Sequence, residues 1–201
     1  MLLAIDTSIG TSVAVVDYER GILAEVFSAD TRGHAERIGE AIHSVVHESG
    51  VKVTALSGVV AGMGPGPFTG LRVGIAAARA FAFGAGKLLV PIASHDAIAF
   101  GATEPVLVAT DARRHELFWS TYSGSDAAGL PIRTSGPSLA KAAELNSEGY
   151  ALLQPEVVSA GALGMLAETL YANGRPFAAD EPLYLRSPDV TLSAGPKRVT
   201  G

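Results

Sequence analysis

Short polar side chains follow the first apolar segment of the chain. Asp6, Thr7 and Ser8 come directly after the apolar run at positions 2–5. A carboxylate in such a turn can position a metal ion, while hydroxyl and backbone N–H groups can hold phosphate oxygens. The same residues can instead stabilise the turn through hydrogen bonds from side chain to backbone. The pattern therefore has two interpretations, a phosphate site and a structural turn.

A loop rich in glycine and proline lies between two apolar segments. The apolar run at 58–63 precedes it, and small apolar residues follow it, which predicts a strand, a tight loop and a helix. Such a loop lies at the C-terminal end of a strand, where open α/β sheets keep their ligand sites. Thr69 and Gly70 are placed to begin the helix, whose N-terminus would favour an anion. The glycine spacing matches neither the dinucleotide-binding nor the P-loop pattern, so a phosphate-binding loop and a purely structural loop both stay open.

Histidine spacing argues against a metal site. His34 begins a segment of helical periodicity at 34–49, but a two-histidine site would need a second histidine four residues later, and position 38 is isoleucine. His43 and His47 have the right spacing without an accompanying carboxylate motif, so we expect them at the surface or in an interface. The sequence therefore predicts no bound metal in this chain.

A charged turn opens the second half of the chain. Asp111 follows the apolar run at 106–109, and Arg113 comes two residues later. An ion pair or side-chain to backbone hydrogen bonds between such residues can hold a turn. We expect this turn to contribute to stability rather than to chemistry.

Small residues repeat along the helix that follows the glycine-rich loop. Gly70, Gly74, Ala78 and Ala82 recur every fourth residue and therefore share one helical face. Such a face allows another backbone to approach closely. The approaching element is either part of this chain or a helix of a partner chain.

The apolar patterns predict an α/β protein of two lobes. Three strands, a helix and a further strand open the chain, which is the ββαβ-type unit of the actin-like ATPase fold (ASKHA, RNase H-like). A second, reduced unit repeats the opening, and both lobes are expected to have mixed sheets. We place the first lobe at 1–103, with helices at 34–49 and 70–85, a compressed second lobe at 104–189 and a flexible tail at 190–201. Within the second lobe, the patterns predict helices at 138–146 and 159–173 and a strand at 150–153.

Composition bounds the function. The chain has 201 residues, is 48% hydrophobic and has a mean hydropathy of +0.30, which indicates a large core. It has no run of 18 uncharged apolar residues and no leader-like start, so we expect a cytoplasmic protein without a membrane segment. A net charge of −5 without a basic patch argues against direct binding of tRNA or DNA. The absence of cysteine excludes disulfides and thiolate metal sites.

Five stretches of the chain together resemble the bacterial TsaB family, also called YeaZ. The most specific is GMGPGPFTGLRVG at 62–74, and the others are IDTS at 5–8, HAERI at 34–38, DAR at 111–113 and PLYLR at 182–186. The resemblance covers the chain up to about position 186. The chain resembles a short variant, with a second lobe about 30 residues smaller than the family's better known members have.

The resemblance implies an actin-like fold and a role in making N6-threonylcarbamoyladenosine in tRNAs that read ANN codons. In this family, TsaB is the non-catalytic partner of TsaD, the metal-bearing threonylcarbamoyltransferase, and TsaE, an ATPase, docks on the pair. ATP or ADP and a metal are then expected in the partner complex, tRNA is reached only through that complex, and a homodimer is an option for the chain alone. The turn at Asp6, Thr7 and Ser8 becomes a vestigial phosphate site. Pairing through first-lobe helices implies interface residues at His34, Ile38, Ile42, Leu71, Gly74, Ile75 and Ala78.

The alternative is a stand-alone nucleotide-dependent enzyme of the same fold, such as a small-molecule kinase. Sugar kinases need a general base in the cleft and a glycine-rich loop in the second lobe, and the stretch at 157–164 offers only Gly161 and Gly164. A peptidase is less favoured still, since the sequence has neither a zinc-peptidase helix nor a serine elbow.

Overall fold

The computed structural model describes residues 1–31 and 33–186, so the tail predicted at 190–201 lies outside the described residues. The first lobe is built on a five-stranded mixed sheet in the order β3-β2-β1-β4-β5. The first three strands are antiparallel neighbours, while β4 runs parallel to both β1 and β5. The strands are β1 Leu2–Asp6, β2 Thr11–Asp17, β3 Gly21–Ser28, β4 Gly58–Gly62 and β5 Leu88–Ile92.

Helices cover both faces of this sheet. On β1, alternate residues point to opposite faces: Leu3 and Ile5 pack under α1 and α2, while Leu2 and Ala4 pack under α4. Both α1 and α2 end at a left-handed glycine, Gly50 or Gly86. The helices are α1 His34–Ser49, α2 Phe68–Ala85, α3 Ser94–Ala99 and α4 Ala160–Ala172, with a 3-10 turn at Val53–Ala55.

The second lobe is a four-stranded sheet in the order β8-β7-β6-β9. Strands β6 and β9 are parallel, and the other pairs are antiparallel. The strands are β6 Val106–Asp111, β7 Glu116–Ser125, β8 Pro131–Lys141 and β9 Ala151–Leu153.

Two expectations for the second half of the chain are wrong. The helix predicted at 138–146 is not formed, because β8 continues to Lys141 opposite Glu116 and only a 3-10 turn at Ala142–Glu144 follows. Cross-strand pairing overrides a weak local preference here. The helix predicted at 159–173 is present as α4, but it packs on the first sheet rather than within the second lobe.

Residues 175–186 return from α4 along the first lobe without forming a helix or strand. The Ala178 amide donates to the Pro91 carbonyl, and the Leu183 amide donates to the Met63 carbonyl. At the end of this segment, Arg186 contacts the second lobe. The chain therefore crosses between the lobes again after leaving the second sheet.

Across residues 1–31 and 33–186, every helix is too short or too polar to cross a membrane.

Candidate functional site

The carboxylate of Asp6 is completely enclosed at the end of β1. Its Oδ1 accepts hydrogen bonds from the Ser8 amide at 2.8 Å and the Ser8 hydroxyl at 2.6 Å. Its Oδ2 accepts from the Ser94 hydroxyl at 2.5 Å. Burial raises the pKa of Asp6, and the bonds from Ser8 and Ser94 oppose that rise. Both oxygens are thus occupied by this chain's own groups, and the carboxylate faces no open space.

Thr7 joins the β1–β2 turn to the first turns of α2. Its hydroxyl donates to the Gly70 carbonyl at 2.7 Å and accepts from the Gly74 amide at 2.9 Å. A Cβ on Gly74 would lie 2.3 Å from Thr7 Oγ1, and one on Gly66 would lie 2.5 Å from the Ser8 carbonyl oxygen. The glycines therefore allow the loop and the helix to approach this turn, which favours a structural turn over a phosphate site.

Most of the interface residues that the family resemblance implied are buried in this chain, and their contact with a partner stays a prediction. Six of the seven residues are buried, although one of them, His34, also lines the cleft between the lobes. The six are His34, Ile38, Leu71, Gly74, Ile75 and Ala78. Ile42 is half-buried against the same core. The stripe of small residues packs within the chain, against the β1–β2 turn and β4.

His34 links the start of α1 to β2 and α2. The side chain is 8% exposed, and its Nδ1 lies 2.7 Å from the Thr11 hydroxyl oxygen. A Cβ on Gly70 would lie 3.1 Å from Nε2. Burial lowers the pKa of His34, which favours a neutral ring. Ile38 lies in the core beside it, and in the described part of the chain no three histidine, aspartate or glutamate side chains gather as a metal site would require.

A cleft of about 750 Å³ lies between the lobes. The starts of α1 and α2 line one side, and neither start has a side-chain cap. Arg186 lines the other side, where it donates to the Ala112 carbonyl at 2.6 Å and pairs with Glu116 at 3.0 Å. The cleft wall also includes Thr7 and Tyr184.

The turn at Asp111 has the contacts that the sequence suggested. The Arg113 amide donates to Asp111 Oδ1 at 2.8 Å, and the two side chains lie 3.9 Å apart in an exposed ion pair. Arg113, Arg114 and His115 all have left-handed φ values, which is uncommon for residues with side chains. Arg113 also donates to the Thr31 hydroxyl at 3.2 Å across the cleft. That the turn contributes to stability rather than to function stays a prediction.

The outer faces of α1 and α2 form a surface that the sequence patterns did not indicate. Both helices cover the same face of the first sheet, so their outward sides lie next to each other. On α2 this side carries Ala76, Ala80 and Phe83, and the Phe83 ring is 90% exposed. On α1 it carries His43, whose ring stacks with that of His47 at 6.3 Å. A helical wheel drawn from the positions facing the core would have identified this side.

Two lobes around a cleft, with a first sheet in the order β3-β2-β1-β4-β5, define a protein of the actin-like ATPase fold. The family model described as TsaD, tRNA N6-adenosine threonylcarbamoyltransferase, matches residues 12–158. Structures of YeaZ-type proteins from Pseudomonas aeruginosa superpose with TM-scores of 0.77 and 0.76 at 25% and 24% identity. Each of these superpositions covers 92% of this chain and 99% of the other.

Similar sequences agree with the structural match. An uncharacterised protein of Mycobacterium tuberculosis is 36% identical over 204 residues, which cover 94% of this chain and 92% of that protein. TsaB of Escherichia coli is 32% identical over 126 residues, covering 60% of this chain and 54% of TsaB. TsaB of Haemophilus influenzae is 36% identical over 124 residues, with 59% and 52% covered. The chain belongs to the TsaB family, also called YeaZ.

Proposed function

We propose that this chain acts in the biosynthesis of threonylcarbamoyladenosine in tRNA, as a non-catalytic partner subunit of a TsaD-type threonylcarbamoyltransferase. The names of its E. coli and H. influenzae relatives support the pathway, and the TsaD family match supports the partner. ATP or ADP, a metal and a TsaE-type ATPase belong to the complex in this proposal. Contact with tRNA is made through that complex.

The observation that carries the proposal is the internal use of the Asp6, Thr7 and Ser8 side chains at the β1–β2 turn. Asp6 accepts from Ser8 and Ser94, and the Thr7 hydroxyl is bonded to Gly70 and Gly74. A carboxylate that positions a metal or activates a nucleophile must reach the substrate. Asp6 is 1% exposed and points into the protein. Its burial therefore supports a non-catalytic scaffold role for the chain rather than a kinase activity.

A second observation disfavours the kinase alternative. The N-terminus of α4 is already occupied by the carboxylate of Glu25, whose Oε1 accepts from the Gly161 amide at 3.0 Å and the Ser159 hydroxyl at 2.9 Å. Ser159 also accepts from the Ala162 amide at 3.0 Å. An internal anion and a side-chain cap thus satisfy the amides that a phosphate would need.

The partner surface in this proposal is the outer face of α2, with α1 beside it. Ala76, Ala80 and Phe83 lie at i, i+4 and i+7, so two small residues let a partner helix approach while Phe83 supplies a large apolar contact. Exposed aromatic residues of this kind often dominate binding energy. The same face is available to a second copy when the chain is alone.

Phe83→Asp tests this surface in a pull-down of the TsaD-type partner. Truncating an aromatic anchor typically costs at least about 2 kcal/mol of binding energy, or roughly 30-fold in affinity. Tyr171→Asp is the matched control, since Tyr171 is 76% exposed on α4, which covers the opposite face of the sheet. Equal capture of TsaD by the two variants would contradict the proposed surface.

A parallel assay distinguishes the proposed scaffold function from the alternative kinase function. The isolated chain should not hydrolyse ATP, and the complex with TsaD and the TsaE-type ATPase should modify tRNA when it is supplied with a threonylcarbamoyl donor. ATP turnover by the isolated chain that is lost in Asp6→Asn, while the variant remains folded, would favour the enzyme. Light scattering of the same samples reports whether the free chain forms a dimer.

A further inference from the structure

Helix α3 lies where the two sheets meet. It follows β5 of the first lobe directly and packs against β6, β7 and β8 of the second lobe. Its first three residues, Ser94, His95 and Asp96, are all polar, and the first two are completely buried. Buried polar groups need hydrogen-bond partners inside the protein. The partners of these three residues lie in both lobes.

Ser94 binds the first lobe. Its hydroxyl donates to Asp6 at the end of β1 and accepts from the Gly64 amide at 3.0 Å. Its own amide donates to the Gly64 carbonyl at 2.8 Å. The start of α3 is therefore attached to the β1–β2 turn and to the loop after β4.

His95 binds the second lobe through both ring nitrogens. Nδ1 lies 2.8 Å from the Ser120 hydroxyl oxygen on β7, and Nε2 lies 3.0 Å from the Thr110 hydroxyl oxygen on β6. Each hydroxyl can donate or accept, so a neutral imidazole is satisfied in either tautomer. Burial, together with the positive charge of Arg133, lowers the pKa of His95 to about 3.

Asp96 binds β7 as well, and one further strand of the second lobe, β8. It accepts from the Tyr122 hydroxyl on β7 at 2.7 Å and from Arg133 Nε on β8 at 2.9 Å, and Arg133 Nη2 donates to its other oxygen. A two-point contact of this kind also restricts the angle between the groups. Moving α3 away from the second lobe would break the bonds of one carboxylate to a phenol and to a guanidinium at the same time.

We propose that α3 is a rigid joint that holds the two lobes at one fixed angle, so that the cleft keeps a constant width. Lobes connected by ordinary linkers move by hinge or shear. Here Ser94, His95 and Asp96 attach one short helix to both sheets, and the Arg113 contact with Thr31 bridges the cleft as well. The proposal concerns the free chain and does not depend on the proposed function.

The distance between the lobes can be measured directly. The chain has no cysteine, so spin labels attach only at introduced positions. Glu40→Cys on the exposed side of α1 and Lys141→Cys at the end of β8 place one label in each lobe. Double electron–electron resonance should give one narrow distance distribution that magnesium and ATP leave unchanged. A broad or two-peaked distance distribution, or a shift of its maximum on adding magnesium and ATP, would overturn the proposal of a rigid joint.

Variants of the joint provide a second measurement. Asp96→Asn weakens the pair with Arg133, while Tyr122→Phe removes one hydroxyl and keeps the ring in place, so it tests the joint even where Asp96→Asn fails to fold. Both should widen the distribution. Glu25→Gln is the control, because its hydrogen bonds connect β3 with α4 on the first sheet, and it should leave the distribution unchanged. An unchanged distribution in the folded joint variants, or equal widening in Glu25→Gln, overturns the proposal.

Discussion

Adding a single methyl group at Gly74 tests how the core is assembled around α2. The new Cβ would lie 2.3 Å from Thr7 Oγ1 and 3.1 Å from Thr7 Cβ, distances that require the Thr7 side chain to move. Moving it breaks the bonds from Thr7 to the Gly70 carbonyl and from the Gly74 amide to Thr7. Gly74→Ala should therefore destabilise the protein, although alanine is the better helix former.

The expected loss in the free energy of unfolding of Gly74→Ala is the sum of three contributions. Overpacking a core costs about 1 to 3 kcal/mol, and each lost hydrogen bond costs about 1 kcal/mol. The gain in helix propensity offsets about 1 kcal/mol. We expect a net loss of about 2 to 4 kcal/mol in the free energy of unfolding. For a domain of this size that corresponds to a fall in Tm of about 4 to 16 °C.

The assay is urea denaturation with thermal melting as a second measurement. Gly84→Ala on the same helix is the control, because nothing lies within 4 Å of its added Cβ, and it should stabilise by up to about 1 kcal/mol. Thr7→Ala should remove most of the penalty of Gly74→Ala, which a double-mutant cycle would detect as coupling. If Gly74→Ala is as stable as Gly84→Ala, the small-residue stripe does not face the core and the burial argument is refuted.

Two further predictions concern buried polar groups. Asp6→Ala should lower the free energy of unfolding by about 1 to 3 kcal/mol for each of two buried donors, because the Ser8 amide and the Ser94 hydroxyl lose their acceptor. An unchanged free energy of unfolding in equilibrium denaturation would contradict this prediction. His95 should make the free energy of unfolding depend on pH. The pKa of its ring in the folded protein, about 3, lies below the ordinary value of 6.5, so the unfolded chain binds more protons between these two pH values. Stability is then fully present above pH 6.5 and falls on acidification by up to about 1.4 kcal/mol per pH unit. His95→Gln should flatten that slope when denaturation is followed between pH 7 and pH 4, and an unchanged slope would show that other groups cause it.

Local patterns in the sequence were sufficient for most of the architecture. The periodicity of 34–49 predicted α1 with its observed bounds, and the order of strands, glycine-rich loop and helix predicted the first sheet and α2. These inferences succeed because helical and strand periodicities depend on neighbours within a few residues.

Only the tertiary structure decided what the conspicuous residues do. Asp6 finds its partner Ser94 at a separation of 88 residues, and Thr7 reaches Gly74 at a separation of 67. His95 carried no motif, yet its contacts with β6 and β7 connect the lobes. A repeat of small residues shows that a backbone can approach, but both a partner helix and the chain's own turn satisfy that pattern. The choice between them depends on which distant segment packs there, and spacing along one helix contains no information about that contact.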